Sequence, residues 1–577
     1  MLFSELARYF QQLEQTSSRN AMTGILSELF LKAHADEIGN ICYLLLGRVA
    51  PLYEAIEFGI ADKFMIRAIA VAYDVPVEQV TAEFKHVGDL GIAAERMHKG
   101  KGGQLSVSDV FQIFCTITQM SGTGSQDKKI VCIADLLHRV DAQSARYIAR
   151  IPLDKLRLGF SDMTILDSLS WMVTGDKSLR SRLEDAYNVR PDIGLLAQTV
   201  KAHGASGLSH IHARVGAPIL ASLCQRLPTA DEMIEKMGQV AVEPKYDGVR
   251  IQIHYKKSGF GASGSARSFS RNLENTTEMF SELQDIAGEI HADEVILDGE
   301  AIGVDPISGK LSSFQETMTR KRKHDIVQTR KDMPLKFFIF DILYKNGKEL
   351  LSTPLSTRRK ILEQTISPDK IFAISPQILT DSAEKIRSYH EAQISKGLEG
   401  VVVKKWDSNY EPGRRGFAWV KFKEEEGKTG KLTDTIDVVV MGYYVGEGKR
   451  SGFGIGAFLV GVRHKDEFVT LTKIGTGVSD ELWKDLRSEF EKIKCATKPA
   501  AYTGVNKAFV PDVWVHPRLV VEIAGDDLTK SPTHGANFAV RFPRLVRIRG
   551  DKGPAQSTTV AEIEKMFESQ KSHHIQK

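Results

Sequence analysis

The stretch Glu243-Pro244-Lys245-Tyr246-Asp247-Gly248-Val249-Arg250 sets a lysine beside an Asp-Gly turn and then runs into a strand. From Val249 onward Val249, Ile251, Ile253 and Tyr255 alternate with Arg250, Gln252 and His254, the period of a strand with one apolar face. Lys245 is therefore expected at a turn rather than on a solvated helix. Taken alone, a Lys-x-Asp-Gly is most often an ordinary surface turn. A lysine attacks phosphorus only as the neutral amine, and an ordinary pKa of about 10.4 leaves roughly 1 molecule in 2,500 neutral at pH 7. Chemistry at Lys245 thus requires neighbouring cations, a metal or desolvation.

The chain has 577 residues, too many for one core, and about 150 residues per domain suggests three or four. An apolar content of 42% with 26% charged residues is ordinary for a soluble globular protein. There is no apolar run of about 18 residues, and the start MLFSELARYF lacks the pattern of a signal peptide. A cytoplasmic protein without a membrane partner is expected, nucleoid-associated if the source is a prokaryote. Cys42, Cys115, Cys132, Cys224 and Cys495 form no C-x-x-C pair and read as reduced thiols. The net charge of +4 names no partner by itself.

Up to about residue 215 the pattern is helical. In FSELARYFQQLEQ, Phe3, Leu6, Phe10 and Leu13 recur at helical spacing, and ADKFMIRAIAVAY and SDVFQIFCTITQM continue it. MHKGKGGQ and SGTGSQDKK read as basic loops, suited to a phosphate backbone but also common in linkers. From about 216 strands dominate: AVEPKYDGVRIQIHY, EVILDGEAIGV, KFFIFDILY, GLEGVVVKKW and FAWVKFK, with TTEMFSELQDIAGEI and TDSAEKIRSYHEAQIS as helices between them. This predicts an α/β unit with antiparallel sheets. EEEGKTGKLTD reads as a linker ending near 430. Short strands with glycine turns follow, predicting a small barrel of the oligonucleotide-binding type, and TVAEIEKMFESQ reads as a closing helix. The expected division is 1–215, 216–429 and 430–577.

Polar residues interrupt the apolar strands of the middle region. Ser270-Arg271-Asn272 follows the Lys245 hairpin, Asp298-Gly299-Glu300 is expected to close the strand EVIL, and Glu399 precedes Gly400 at the start of VVVKK. Two carboxylates from separate strands, Glu300 and Glu399, could share one hard cation. In Trp419-Val420-Lys421-Phe422-Lys423 the period of two puts both lysines on Trp419's face. A triphosphate would balance them, and they would favour the neutral amine at Lys245. Arg541-Phe542-Pro543-Arg544 opens a run rich in basic residues; such a run is usually a solvated face, but these arginines could reach phosphate oxygens if the last unit moved. Arg320-Lys321-Arg322-Lys323 is read as a DNA-facing or solvated surface rather than an address.

Lys245-Tyr246-Asp247-Gly248-Val249-Arg250, Ser270-Arg271-Asn272, Asp298-Gly299-Glu300, Phe340-Asp341, Glu399-Gly400 and Trp419-Val420-Lys421-Phe422-Lys423 stand in the order of the covalent nucleotidyltransferase motifs. With RFPRLVRIRGDK and the long helical first part, the whole chain resembles the ATP-dependent DNA ligases of the archaeal and eukaryotic replicative type. GSQDKK, LDKLRLGFSDMTILDSL, FQETMTRKRKHDI and DTIDVVVMGYYVGEGKRSG resemble further segments of that family.

The resemblance implies an all-α DNA-binding domain, an antiparallel-sheet nucleotidyltransferase domain and a C-terminal OB-type barrel. It implies that Lys245 attacks the α-phosphorus of ATP, and that AMP then passes to the 5′-phosphate of a nick, where the 3′-hydroxyl displaces it. It implies that Glu243 reads adenine with Phe340 on the face of the base, and that Arg250 and Glu300 bind ribose. Arg271 would meet the 5′-phosphate or the adenylate. Glu300 and Glu399 would bind Mg2+, with Mn2+ able to substitute. Arg415, Lys421 and Lys423 would hold nucleotide phosphates, and Arg541 and Arg544 would orient pyrophosphate. The implied partner is nicked duplex DNA, encircled by a monomer in replication, repair and recombination, with a sliding clamp as a further candidate. An RNA ligase or mRNA guanylyltransferase would share Lys245; the helical first part and RFPR with DK favour DNA ligase. The cysteines and downstream domains expected of an NAD-dependent ligase are missing from the sequence. A binding scaffold that has lost catalysis is the alternative of another class.

Overall fold

The computed structural model describes every residue except 101, 157, 228, 262–263, 306–310, 313–316, 318–333, 423–434, 447–453, 477, 479, 526 and 573–577. The chain forms two compact units, Met1–Phe422 and Lys423–Lys577. The expected boundary near 215 lies inside the first unit. The expected linker, Lys423 and the basic run 320–323 lie outside the described residues, as does nearly all of FQETMTRKRKHDI.

From Phe3 to His203 the first unit is helical. Phe3, Leu6, Phe10 and Leu13 are all buried on the helix Phe3–Glu14, as the spacing predicts. The expected helices at 61–73 and 108–120 appear as Asp62–Tyr73 and Val107–Gln119. The second is fixed at its start by a reciprocal cap: the Asp109 N–H donates to Ser106 Oγ (3.1 Å) and the Ser106 N–H to Asp109 Oδ2 (2.9 Å). SGTGSQDKK is only half a loop. Gly124, at φ +76°, makes the turn, and Ser125–His138 is a helix with Asp127 in its first turn, where the helix dipole favours an acid.

The sheet-rich part contains β1 (Leu223–Arg226), β2 (Val240–Pro244), β3 (Val249–Lys256), β4 (Ala266–Ser270), β5 (Glu294–Gly303), β6 (Leu335–Lys345), β7 (Lys348–Glu349), β8 (Phe372–Ile374), β9 (Ile378–Thr380), β10 (Val401–Lys405) and β11 (Arg415–Phe422). One sheet has the order β1-β11-β10-β2-β9, the other β4-β3-β5-β6-β7 with β8 on β6. Pairing is antiparallel except for β1 with β11 and β6 with β8. β2 belongs to one sheet and β3 to the other, so Lys245 sits where the chain crosses between them.

Each sheet buries one face under helices. Val240, Val242, Val401, Val403 and Val420 pack with Met233, Met237 and Ile386. Val249, Ile251, Ile253 and Tyr255 pack with Leu297, Phe337 and Leu362. The other faces contribute Ile296, Phe340 and Trp419 to a shared cluster. The polar side of β3 is also used. The Ile219 N–H donates to Gln252 Oε1 (2.8 Å) and the Gly216 N–H to His254 Nδ1 (3.0 Å), and burial pushes His254 down to about 3.

Two local expectations change. β5 does not end at Leu297 but runs to Gly303, so Asp298 and Glu300 lie inside a strand. The expected helix at 276–290 is represented by 3-10 turns over Ser281–Glu289.

The second unit carries strands Ile436–Tyr444, Ala457–His464 and Glu467–Ile474 as an antiparallel meander. Val520–Ala524 pairs with the first of these and with Arg544–Ile548. Its core includes Val438, Phe458, Leu471, Trp483 and Ile523. This is a C-terminal sheet domain; the described pairings do not join its outer strands into a closed barrel. The helix Val560–Ser572 closes the described chain. Among the described residues no helix is long and apolar enough to cross a membrane, and the five cysteines are free.

Candidate active site at the sheet crossing

The turn after β2 is held from both sides. The Lys245 N–H donates to the Gly400 carbonyl (2.9 Å), and the Glu399 N–H donates to the Lys245 carbonyl (3.2 Å), extending the β2–β10 ladder by one step beyond Pro244 and Val401. Gly400 has φ +131°, a conformation that favours glycine. A Cβ on Gly248 would stand 2.7 Å from the Ala301 carbonyl and 2.8 Å from Glu300 Cγ. The absence of a side chain there lets the turn approach β5. Lys245 Nζ is ion-paired with Glu399. The group in contact with the lysine is thus a carboxylate, one of the two that the sequence argument brought to this site.

Behind the turn, Glu243 and Lys404 form a buried ion pair at 2.9 Å, their side chains 3% and 1% exposed. Strand alternation explains it: Val242 and Val403 enter the valine core, so Glu243 and Lys404 face the other way. Lys404 Nζ also lies 4.5 Å from the Phe340 ring and 4.2 Å from the Trp419 ring, a cation held by two aromatic rings. Burial pushes the Glu243 carboxyl up, and the Lys404 charge only partly offsets this.

Arg250 meets Asp298 through both Nε (3.1 Å) and Nη2 (2.7 Å). Burial opposes its charge, but Asp298 and the polar groups around it hold Arg250 above the ordinary arginine value. Glu300, one turn of the pleat further along β5, accepts the Gly248 N–H. Burial, reinforced by Asp298 and opposed by Arg250 and Lys245, pushes its pKa up to about 7.

Trp419 and Lys421 share a face of β11, opposite Val420 and Phe422, which pack with the valine core. Val402 of β10 is opposite both Glu243 and Lys421, so Lys421 lies two strands, about 10 Å, from β2. Cys224 on β1 lies within electrostatic reach of Arg250, Lys404, Lys245 and Lys421; burial nevertheless raises its thiol. Phe340 stands edge-on to Trp419, with ring centroids 5.8 Å apart. Arg415 opens β11 opposite Leu223, and Lys423 lies outside the described residues.

Arg271 is exposed on the turn after β4, where Ser270 Oγ accepts the N–H groups of Asn272 and Glu274 (3.2 Å each). In the second unit, Arg541 and Arg544 flank Phe542, which is exposed with φ +51°, and the Arg541 guanidinium lies 5.3 Å from the Phe542 ring. Sequence reasoning overlooked Lys404 and Tyr410. The available signal for Lys404 was the matching alternation Val402/Lys404 and Trp419/Lys421; for Tyr410 there was none without the fold.

Three family models cover most of this chain. The DNA ligase N terminus matches residues 2–170, the ATP dependent DNA ligase domain 218–423 and the ATP dependent DNA ligase C terminal region 451–552. The chain is 42% identical to a probable DNA ligase of Dictyoglomus thermophilum over 587 aligned residues, spanning 100% of this chain and 99% of that relative. The chain belongs to the ATP-dependent DNA ligases. It is also 37% identical to DNA ligase 1 of Methanosarcina mazei, over 98% of this chain and 99% of that one. The solved structure Pmar-Lig_Pre matches with a TM-score of 0.54 at 18% identity, over 94% of this chain and 99% of that one, a likeness of fold. The three matches fall on the helical region, the two sheets around Lys245 and the C-terminal sheet domain. This is the three-domain ligase architecture, and the chain is an ATP-using enzyme that joins DNA.

Proposed function

We propose that the sheet crossing seals 5′-phosphate/3′-hydroxyl nicks through a covalent lysyl-AMP, with Lys245 as nucleophile. The observation that carries this reading is the position of Lys245: clamped by backbone bonds to Glu399 and Gly400, paired with Glu399, and in the same neighbourhood of Cys224 as Arg250, Lys404 and Lys421. Lys245 Nζ forms a bond to the α-phosphorus while the bond to the pyrophosphate oxygen breaks. The amine must shed its proton first, and Glu399 is the acceptor in contact with it. The nick 5′-phosphate then displaces lysine from AMP, and the 3′-hydroxyl displaces AMP.

Glu243, held by Lys404, faces the adenine side, with Phe340 against the base. Arg250 and Glu300 serve the ribose, and Arg415, Lys421 and Lys423 serve the phosphates. Arg271 serves the nick phosphate, and Arg541 and Arg544 the leaving pyrophosphate. Glu300 and Glu399 are hard oxygen donors and fit Mg2+ or Mn2+, although Glu300 at a pKa of about 7 offers a charged ligand only toward neutral pH and above. A bound divalent ion supplies Lewis-acid stabilisation of charge developing on phosphate oxygens.

The C-terminal sheet domain is read as an OB-type module. With the helical and nucleotidyltransferase regions it would let a monomer surround nicked duplex through phosphate contacts. The proposed setting is the cytoplasm, at the nucleoid of a prokaryote, in replication, repair and recombination, with a sliding clamp as candidate partner. A nicked duplex labelled at the 5′-phosphate tests the reading. With ATP and magnesium, a DNA-adenylate should appear before the sealed strand; sealing with GTP in preference to ATP would contradict it.

A further inference from the structure

Arg250 is oriented by more than Asp298. The Ser222 N–H donates to Tyr410 Oη (3.0 Å), and the Tyr410 hydroxyl donates to Asp298 Oδ2 (2.7 Å). That same oxygen accepts Arg250 Nη2 (2.7 Å), and Arg250 Nη1 donates to the Ser222 carbonyl (2.6 Å). These four bonds close a ring that ties together the residue before β1, strands β3 and β5, and the segment after β10. Tyr410 is buried and stands edge-on to Trp419, with centroids 5.6 Å apart. Trp419 in turn lies 5.4 Å from the Arg250 guanidinium carbon. Burial and the neighbouring Asp298 hold the phenol firmly protonated, so its hydroxyl remains a donor.

We propose that Tyr410 is a positioning residue for nucleotide binding: its hydroxyl fixes the Asp298 carboxylate and itself accepts from Arg250 Nη2 (3.4 Å), and the two together fix the plane of Arg250. The inference rests on the reading that Arg250 serves the ribose. A carboxylate released from Tyr410 can rotate about its last torsion, and Arg250 follows it while keeping its charge. The consequence falls on nucleotide affinity rather than on the bond-making at Lys245, which lies at the far end of the turn.

The test follows labelling of Lys245 by α-labelled ATP as a function of ATP concentration, in the full chain. Tyr410→Phe keeps the ring packing and removes only the hydroxyl. It should raise the half-saturating ATP about tenfold, the scale of one hydrogen bond to a charged group, with the maximal rate within about twofold of wild type. Arg250→Lys should raise it too, and adding Tyr410→Phe to Arg250→Lys should change nothing further. The preference for ATP over an analogue lacking ribose hydroxyls should shrink in Tyr410→Phe. A Tyr410→Phe variant that melts earlier but saturates at wild-type ATP would overturn the proposal, as would effects that multiply in the double variant. If Tyr410→Phe does not fold, Asp298→Asn carries the same test, and wild-type saturation there overturns it equally. Failure of the underlying reading looks different, since Arg250→Lys itself would then saturate at wild-type ATP.

Discussion

Replacing Lys404 by methionine isolates the buried ion pair behind the reactive turn. Lys404 and Glu243 are both almost wholly buried and 2.9 Å apart, and methionine preserves most of the lysine stem between Phe340 and Trp419. What the substitution leaves is an uncompensated carboxylate, a situation that costs about 3–5 kcal/mol. That cost depends on pH. Burial already holds the Glu243 carboxyl above its ordinary value, and Lys404 is the largest influence pulling it back. Without Lys404 the folded-state pKa rises further while the unfolded one stays near 4.3. A raised folded pKa gives stability that is full below the unfolded value and lost as pH rises through the folded one. Urea unfolding of Lys404→Met should therefore show the full loss at pH 8 and a much smaller one at pH 5, where Glu243 takes up a proton. Adding Glu243→Leu should recover most of the loss at pH 8. A loss below about 1 kcal/mol at pH 8, or an equal loss at both pH values, would refute the argument.

Glu300, pushed up to about 7 by burial, destabilises the ligand-free fold as pH rises from its unfolded value of about 4.3 through 7. Glu300→Gln should therefore raise stability by about 2–3 kcal/mol at pH 8 and change it little at pH 4, read by urea unfolding. The same substitution should weaken divalent-ion dependence of adenylylation, read as the magnesium concentration at half-maximal labelling. Gly413 has φ +69°, and a Cβ there would meet Asn188 Oδ1 at 2.7 Å. Gly413→Ala should cost about 1–3 kcal/mol in urea unfolding, whereas Gly397→Ala, at φ +80° with open space around it, should cost only its backbone strain of about 1 kcal/mol.

The alternation after Val249 and the helical spacing in Phe3–Glu14 were legible because each records a single face meeting a single core. The turn at Lys245 and the shared face of Trp419 and Lys421 were legible for the same reason. The Glu243–Lys404 pair was not, because it depends on how β10 registers against β2, which no local pattern encodes. A lysine at the end of VVVKK reads as solvated until the sheet is assembled. Asp298 and Glu300 were expected at a strand end because Asp-Gly usually breaks a strand. Here Asp298 stays in the sheet because Arg250 and Tyr410 satisfy its carboxylate. The direct pairing of Lys245 with Glu399 was not legible for a related reason: Glu399 reaches it through a backbone ladder between segments 154 residues apart.

The central claim is that Lys245 carries the nucleotide. Incubation with α-labelled ATP and magnesium, followed by denaturation, tests it most directly. Wild type should retain an acid-labile adduct that maps to Lys245, and Lys245→Ala should retain none. An undiminished adduct on Lys245→Ala would contradict the account.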